Sequence, residues 1–333
     1  MLAIDYDSEG FSAGAPVTNG AAALATGWDD LLKAALTVGR PSWQYVFRFG
    51  PASFFEAIFR LSLVRMALEQ SGPAGRRFRR TAAARTMDPT EKGAISYFLG
   101  LTVAKLFAAR LLTADWMLHL DVFRPATTRM LAGRSRPDLV GQMANGNWVV
   151  LEAKGRISEP DAGAKGKAKQ QAQRVISIDG SRPAYQIGAI TFFRRDTLSF
   201  YWNDPEPESG SEGLAIDIRP SDWRHYYGPT FALIASRPEV LRRMQAESVM
   251  ARVESADVSV GIRPDVLRVI SESRWDALAE LRRSLTGPDE HSVDGQRYGA
   301  DGIAVIAGDS WHGKFNEELF LSRSIVGPDT PMQ

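Results

Sequence analysis

The clearest pattern of apolar and polar positions lies between residues 88 and 202. A helix is predicted to start at Asp88 and to end near Leu112. Asp88 can cap it, Pro89 suits its first turn, and Glu91 stands where a capping box needs an acid. Further on, apolar runs predict strands at Trp116–Phe123, Pro137–Met143, Asn147–Lys154, Ala184–Arg194 and Leu198–Trp202, with a helix at Lys165–Ile178. The order of these elements, α-β-β-β-α-β-β, indicates an α/β fold.

The segments on either side of this block predict mainly helices. Residues 1–20 are rich in Gly, Ala and Ser and are expected to be loose, whereas residues 28–38 and 51–70 have helical spacing. A Gly- and Pro-containing cluster that begins at Ser71 indicates a boundary near residue 86. After a polar linker at 205–213, the pattern predicts a strand at Leu214–Ile218, helices near 222–253 and 264–285, and a strand at Gly302–Ala307. The predicted units are an N-terminal helical region (1–86), a core (87–205) and a C-terminal helical and strand extension (206–333).

The connection between the second and third predicted strands decides which side chains face each other. A two-residue turn at Asn145 and Gly146 would put Asp138 and Glu152 on opposite faces, because a shift of one residue reverses every side chain. A three-residue loop from Ala144 to Gly146, with Gly146 left-handed, would put Asp138 directly opposite Glu152. We predict the three-residue loop, and therefore two carboxylates on one face of the sheet.

Composition narrows the class of protein. The chain has 333 residues and a net charge of +1, which argues against coating nucleic acid through bulk charge but allows a local basic groove. It contains no cysteine, which excludes disulfides, cysteine-ligated zinc and thiol nucleophiles and fits a reducing compartment. The N-terminus lacks a signal-peptide pattern, and no apolar stretch approaches the roughly 18 residues that span a bilayer. We expect a soluble, cytoplasmic protein with no membrane partner.

Lysine is rare in this chain, and one lysine ends the third predicted strand. Of the 40 basic residues, 32 are arginine and 8 are lysine, and only Lys154 has an acid two positions earlier. Glu152 and Lys154 close an apolar strand, where charged groups need partners or a ligand. Together with Asp138 they offer oxygen ligands for Mg²⁺ or Mn²⁺ and a cation that can orient water or stabilise phosphate charge. Glu91, in the first turn of the preceding helix, is a further candidate carboxylate.

These residues resemble the PD-(D/E)XK, or restriction-endonuclease-like, nuclease superfamily. The resemblance covers roughly a third of the chain and rests on Arg136-Pro-Asp-Leu-Val, Val149-Val-Leu-Glu-Ala-Lys154 and Lys167-Ala-Lys-Gln-Gln171. It implies a core of a mixed sheet flanked by helices, in the order α-β-β-β-α-β. It also implies these roles: Asp138, Glu152, the carbonyl of Ala153 and Glu91 for the metal; Lys154 for the attacking water; Gln171 as a polar catalytic-site residue; and Lys167 and Arg156 for nucleic acid.

Simpler interpretations stand beside these roles. Glu91 can serve only the capping box, and Gln171, Lys165 and Lys169 can be ordinary surface residues. The arginines at 76, 77, 79, 80 and 85 can follow a phosphate backbone or form a solvated linker. The aromatic residues at 192, 193 and 200–202 are expected in the core rather than stacked on bases. A second Pro-Asp pair, Pro264-Asp265, is expected to start a helix.

The sequence therefore predicts a Mg²⁺- or Mn²⁺-dependent nuclease that hydrolyses phosphodiester bonds, in DNA more than in RNA. A role in restriction or phage defence is expected only by analogy of fold. Two alternatives stay open: a catalytically inactive, nuclease-like protein that binds nucleic acid or assembles with others, and an effector nuclease that a partner activates. The helical flanks are compatible with a homodimer or with a complex with a partner protein.

Overall fold

The fold is described from a computed structural model, which places residues 1–38, 51–70, 75–120, 126–129, 136–204, 213–235, 249–285, 291–293 and 296–312. The strands are β1 (Leu2–Glu9), β2 (Gly20–Thr26), β3 (Leu68–Gln70), β4 (Phe78–Arg80), β5 (Trp116–His119), β6 (Ala126–Arg129), β7 (Leu139–Gln142), β8 (Trp148–Gly155), β9 (Val175–Ile178), β10 (Tyr185–Arg194), β11 (Thr197–Asn203), β12 (Leu214–Asp217), β13 (Val249–Val253), β14 (Val258–Ile262), β15 (His291–Val293), β16 (Gln296–Tyr298) and β17 (Ile303–Ala307). The helices are α1 (Trp28–Thr37), α2 (Pro51–Ala67), α3 (Ala82–Thr86), α4 (Pro89–Leu112), α5 (Ala162–Ala172), α6 (Arg224–Ala235), α7 (Pro264–Ser271) and α8 (Trp275–Leu285).

A nine-stranded mixed sheet forms the centre of the molecule, in the main order β2-β1-β11-β10-β8-β7-β5. β5, β7 and β8 are antiparallel neighbours, β8 and β10 are parallel, and β10 and β11 are antiparallel. α4 approaches the sheet at Gly155 and α5 at Gly188, and these glycines lie on opposite faces because side-chain positions alternate along a strand. The predicted α/β class, with a mixed sheet flanked by helices, is confirmed.

α4 is the central helix of one face of this sheet. Its start is as predicted, because Asp88 accepts from the backbone N–H of Glu91 and Glu91 accepts from that of Asp88. Within the described ranges it is the only helix long and apolar enough to cross a membrane, yet 72% of its apolar window is buried inside the protein. Glycines allow its close packing on β8, since a Cβ on Gly100 would lie 2.7 Å from the backbone nitrogen of Gly155.

The expectation of a loose and purely helical N-terminal region is wrong for its first residues. β1 pairs in parallel with β11 and antiparallel with β2, so both strands belong to the central sheet. β1 buries Leu2 and Ile4, but β2 reads Gly-Ala-Ala-Ala-Leu-Ala-Thr, and such short side chains carry little strand signal. β1 is a strand because it pairs with β11, almost 200 positions away, and not because of a local pattern. α1 matches the helix predicted at 28–38, and α2 matches most of the helix predicted at 51–70, whose last three residues form β3.

Two further predicted helices are too long. α5 ends at Ala172, and β9 occupies the end of the helix predicted at 165–178. β13 occupies residues predicted to be helical at the end of 222–253, and it pairs with β14, which was not predicted. Confirmed predictions are β12, β17 and the helix start at Pro264-Asp265. The cluster at 71–74, the linker at 205–212 and the stretch 236–248 lie outside the described residues.

A buried polar network joins the C-terminal part of the chain to the core. Lys33 of α1 forms an ion pair with Asp301 at 2.6 Å, and Tyr226 of α6 donates a hydrogen bond to the same carboxylate at 2.5 Å. Lys105 of α4 donates to the hydroxyl of Tyr226 at 3.1 Å. Burial lowers the pKa of Lys105 to about 8, because removal from water disfavours its charged form. Asp301 is thus the point at which three helices meet the loop before β17.

Candidate metal centre

The β7–β8 hairpin has the three-residue loop predicted from the sequence. Gln142 pairs with Trp148, and the backbone N–H of Met143 donates to the carbonyl of Asn147 at 2.8 Å. Gly146 has φ +87°, the left-handed conformation that such a loop requires. Extending the register back from Leu139, which pairs with Leu151, puts Asp138 opposite Glu152. The two carboxylates therefore lie on the same face of the sheet, at the end of β8.

Asp138 and the backbone of Ala153 meet at this end of the hairpin. A carboxylate oxygen of Asp138 accepts a hydrogen bond from the N–H of Ala153 at 2.9 Å. In a strand, the N–H and C=O of one residue point to the same side. The carbonyl of Ala153 therefore faces the side of β8 on which Asp138 lies. Two of the predicted metal ligands, the carboxylate of Asp138 and the carbonyl oxygen of Ala153, thus lie side by side.

Glu152 is the buried member of the set. Its residue is 1% exposed, and its carboxylate forms an ion pair with the ammonium of Lys154, two positions later on the same face. The side chain of Lys154 is 41% exposed, so its nitrogen is shared between a buried carboxylate and the open end of the strand. A buried carboxylate is costly unless a cation or hydrogen bonds compensate it. The negative charge of Glu152 is therefore compensated by Lys154 and by any cation bound beside it.

α5 lies close over the same face. Gly188 of β10 pairs with Glu152, and a Cβ on Gly188 would come within 2.7 Å of the backbone nitrogen of Lys169. Only a glycine lets the helix backbone approach this near. The helix brings Gln171, which is half-buried, to the side of the sheet that carries the carboxylates, while Lys167 is exposed. Their predicted roles in catalysis and nucleic-acid binding stay predictions.

Arg156 lies just after the end of β8. Its backbone N–H donates to the carbonyl of Thr191 at 2.8 Å, and its guanidinium lies 3.8 Å from the carboxylate of Asp161. Asp161 also caps α5 by accepting from the N–H of Ala164. Both charged side chains are well exposed, so the ion pair is weak and leaves Arg156 able to contact a phosphate. Its predicted role in nucleic-acid binding therefore stays a prediction.

Glu91 does not join the carboxylates at the end of β8, and its predicted role as a metal ligand needs correction. Its side chain completes the capping box at Asp88. It lies five residues before Ser96, the helix residue that contacts Gly155, which is about 140° around the helix at 3.6 residues per turn. Among the described residues, no group of three or more His, Asp or Glu side chains is arranged to hold a metal. The structure supports the simpler interpretation of Glu91, as a capping residue.

Several basic residues bind carboxylates of the chain itself. Arg77 binds Asp5, and Arg80 and Arg85 both approach Asp196. These three arginines are therefore held to the folded protein rather than forming a solvated linker. The predicted core role of the aromatic residues holds, since Phe192, Phe193, Phe200, Tyr201 and Trp202 are all buried.

Lys165 of α5 also has a fixed place. Its ammonium lies 3.3 Å from the carboxylate of Glu9 and 3.8 Å from the ring centre of Tyr201. The hydroxyl of Tyr201 donates to the same carboxylate at 2.7 Å, and this hydrogen bond lowers the pKa of Glu9. Lys165 therefore anchors α5 to β1, a role that the sequence pattern around it did not indicate.

A tyrosine and a histidine were missed by the sequence analysis. The hydroxyl of Tyr97 on α4 lies 3.1 Å from Nε2 of His119, the last residue of β5. Neither residue belongs to a recognisable motif, and 22 positions separate them. The only signal in the sequence is a polar ring at the end of an apolar strand.

A comparison of the chain with models of known families, with curated proteins and with solved structures gives no match. The donor set itself is of the right chemistry for a hard cation, since Asp138, Glu152 and the Ala153 carbonyl all offer oxygen. Two carboxylates and a carbonyl are few ligands, but Mg²⁺ usually keeps several waters and completes its shell with substrate oxygens. The residues present therefore fit such an ion.

Proposed function

We propose that the protein is a Mg²⁺- or Mn²⁺-dependent nuclease of the PD-(D/E)XK type, acting on DNA more than on RNA. The observation that carries the proposal is the β7–β8 hairpin, which puts Asp138 opposite Glu152 with Lys154 at the end of the same strand. Apart from β6 and β9, which belong to a separate sheet, the chain order is α4-β5-β7-β8-α5-β10. This order supports a restriction-endonuclease-like core, with β5, β7 and β8 antiparallel and β10 parallel to β8. Cytoplasmic location and a part in defence against foreign DNA follow only by analogy.

Asp138, Glu152 and the carbonyl of Ala153 would hold the metal ion. The ion would polarise the phosphate and lower the pKa of a bound water. Lys154 then orients the attacking water or stabilises charge on the phosphate, because its ammonium lies on the same face and reaches solvent. Glu152 forms an ion pair with Lys154 and fixes its position. Lys167, Arg156 and Gln171 are the proposed contacts to the rest of the nucleic acid, on α5 and at the end of β8.

A second candidate is a protein that binds nucleic acid or assembles with a partner without cleaving. The observation in its favour is the small number of carboxylates at the site, since Glu91 completes the cap of α4 and, among the described residues, no third acidic side chain joins Asp138 and Glu152 in a metal-binding group. An effector that becomes active only when a partner or a second copy completes the site is a variant of the main proposal. Both predict that the isolated protein retains nucleic acid but does not hydrolyse it.

The test is cleavage of plasmid DNA, single-stranded DNA and RNA with Mg²⁺, Mn²⁺ or EDTA. We expect cleavage that needs the metal and falls about 100-fold or more in Asp138→Asn, Glu152→Gln and Lys154→Ala, as when a charge-stabilising group is removed from an active site. Asp265→Asn is the matched control, because Asp265 follows the other Pro-Asp pair and binds Arg263 at the start of α7. Metal-independent cleavage, or equal activity in all four variants, would rule out the proposed site.

A further inference from the structure

We propose that Tyr97, held by His119, binds a phosphate of the nucleic acid next to the one that is cleaved. The inference rests on the proposed nuclease function and extends its site to the other side of the sheet. It comes from three features of the end of β8: the approach of α4, the direction of β5, and the exposure of Tyr97.

The first feature is the contact of α4 with the residue after Lys154. A Cβ on Gly155 would lie 1.6 Å from the carbonyl oxygen of Ser96 and 3.0 Å from the backbone nitrogen of Tyr97. Tyr97 is therefore fixed next to the end of β8, on the face opposite to Glu152 and Lys154. A substrate strand that crosses this end would meet the carboxylates on one side and Tyr97 on the other.

The second feature is that β5 and β8 end on the same side of the sheet, at the level of Asp138. Both are antiparallel to β7, so they run in the same direction. The next backbone N–H after His119, that of Leu120, donates to the carbonyl of Asp138 at 2.8 Å. His119 is thus one residue away from the backbone of a proposed metal ligand. The Tyr97–His119 hydrogen bond flanks the site instead of lying in a remote part of the core.

The third feature is the contrast in burial. Tyr97 is 42% exposed, whereas His119 is 7% exposed. The buried imidazole gains a hydrogen-bond partner in Tyr97, and the tyrosine hydroxyl is held in place at 3.1 Å from Nε2. With the proton of His119 on Nε2, the imidazole donates to the oxygen of Tyr97, and the hydroxyl keeps its own proton for a ligand. A hydroxyl oriented in this way loses less entropy on binding. Phosphate oxygens are common acceptors for tyrosine hydroxyls in complexes with nucleic acid.

The test measures binding without cleavage, with Ca²⁺ replacing Mg²⁺ and with short labelled DNA in which one phosphate at a time is a neutral methylphosphonate. We expect Tyr97→Phe to weaken binding of unmodified DNA about tenfold, as for loss of a hydrogen bond to a charged group. In the wild-type protein, we expect one methylphosphonate in this region of the DNA to lower the affinity most. The same modification should lower the affinity of Tyr97→Phe no further. In Mg²⁺, KM should rise while kcat stays within about twofold.

His119→Asn should give a smaller loss at the same phosphate, because it leaves the hydroxyl present but less well oriented. Tyr185→Phe is the matched control, since Tyr185 begins β10 at the opposite end of the strands from Lys154. This variant should bind DNA like the wild-type protein. The inference is overturned if Tyr97→Phe keeps wild-type affinity, or if its loss is equal with every modified DNA. If the wild-type protein cleaves DNA and Tyr97→Phe changes neither binding nor cleavage, this inference alone is overturned. Binding that depends on Tyr97 without any cleavage would remove the nuclease function alone.

Discussion

At the scale of single residues, burial changes the pKa of several charged side chains. Asp204, just after β11, is an example outside the proposed site. Burial raises its pKa from an ordinary value of 3.8 to about 6, and a hydrogen bond from the backbone N–H of Gln186 at 2.8 Å offsets only part of that effect. The folded state therefore holds a proton on Asp204 more tightly than the unfolded chain does.

The effect of Asp204 on stability depends on pH in a defined direction. Its burial penalty is absent below about pH 4, grows between pH 4 and 6, and stays constant above that. Stability should thus fall as pH rises through this window. We expect Asp204→Asn, which keeps an acceptor for Gln186, to raise the free energy of unfolding by about 1 kcal/mol at pH 7.5 and not at pH 4. Urea denaturation at both pH values measures this, and an equal effect at the two would contradict it.

At the scale of elements, the close approach of α4 to β8 sets the shape of the proposed site. The helix contains two glycines in contrasting surroundings. A Cβ on Gly100 would come within 2.7 Å of backbone atoms of β8, whereas nothing lies within 4 Å of the position of a Cβ on Gly93. Helix propensity alone favours alanine over glycine at both positions.

These two glycines provide a matched pair of substitutions. Gly93→Ala should stabilise the protein by about 0.5–1 kcal/mol through helix propensity. Gly100→Ala should destabilise it by about 1–3 kcal/mol, because the added methyl group pushes α4 away from the backbone at Lys154 and Gly155. Thermal denaturation of both variants decides the matter. If Gly100→Ala is as stable as Gly93→Ala, the helix does not pack as closely as described.

How much of the fold the sequence predicts also depends on the element. The strands β5, β7, β8, β10 and β11 and the helix cap at Asp88 were predictable, because their signals are local: apolar runs, a turn glycine at 146 and a capping box. Even the pairing of Asp138 with Glu152 followed from loop length. β1 was not predictable because it pairs with β11, almost 200 positions away, and β2 because four of its seven residues are alanine. β14, which pairs with β13 and β17, was also missed. The Tyr97–His119 contact depends on helix placement, which no spacing reveals.

At the scale of the whole molecule, the buried network around Asp301 links parts of the chain that the sequence analysis assigned to three units. Lys33 comes from the first, Lys105 from the second, and Asp301 and Tyr226 from the third. The fully buried carboxylate of Asp301 pairs with the half-buried Lys33 and lies near the buried Lys105, whose charge it helps to compensate. Breaking one member of such a buried set is costly, since the remaining charges cannot reach water.

Asp301→Asn should therefore lower the free energy of unfolding by about 3–5 kcal/mol, because Lys33 and Lys105 lose their buried countercharge. The matched control is Asp309→Asn, an exposed aspartate eight residues later, which should change stability by less than about 0.5 kcal/mol. Urea denaturation compares the two variants. Limited proteolysis should also cut the C-terminal part faster in Asp301→Asn. Equal stability of the two variants would show that the network does not hold this part of the chain to the core.

The central claim is that the β7–β8 hairpin forms a metal site, and the most direct measurement is a crystal structure of the protein soaked in Mn²⁺. We expect an anomalous difference peak between the carboxylates of Asp138 and Glu152 and the carbonyl of Ala153, and no such peak in Asp138→Asn. Mn²⁺ serves here because it prefers the same oxygen ligands as Mg²⁺ and scatters anomalously. A structure of the intact hairpin with Mn²⁺ bound elsewhere, or with the same peak in Asp138→Asn, would contradict the claim.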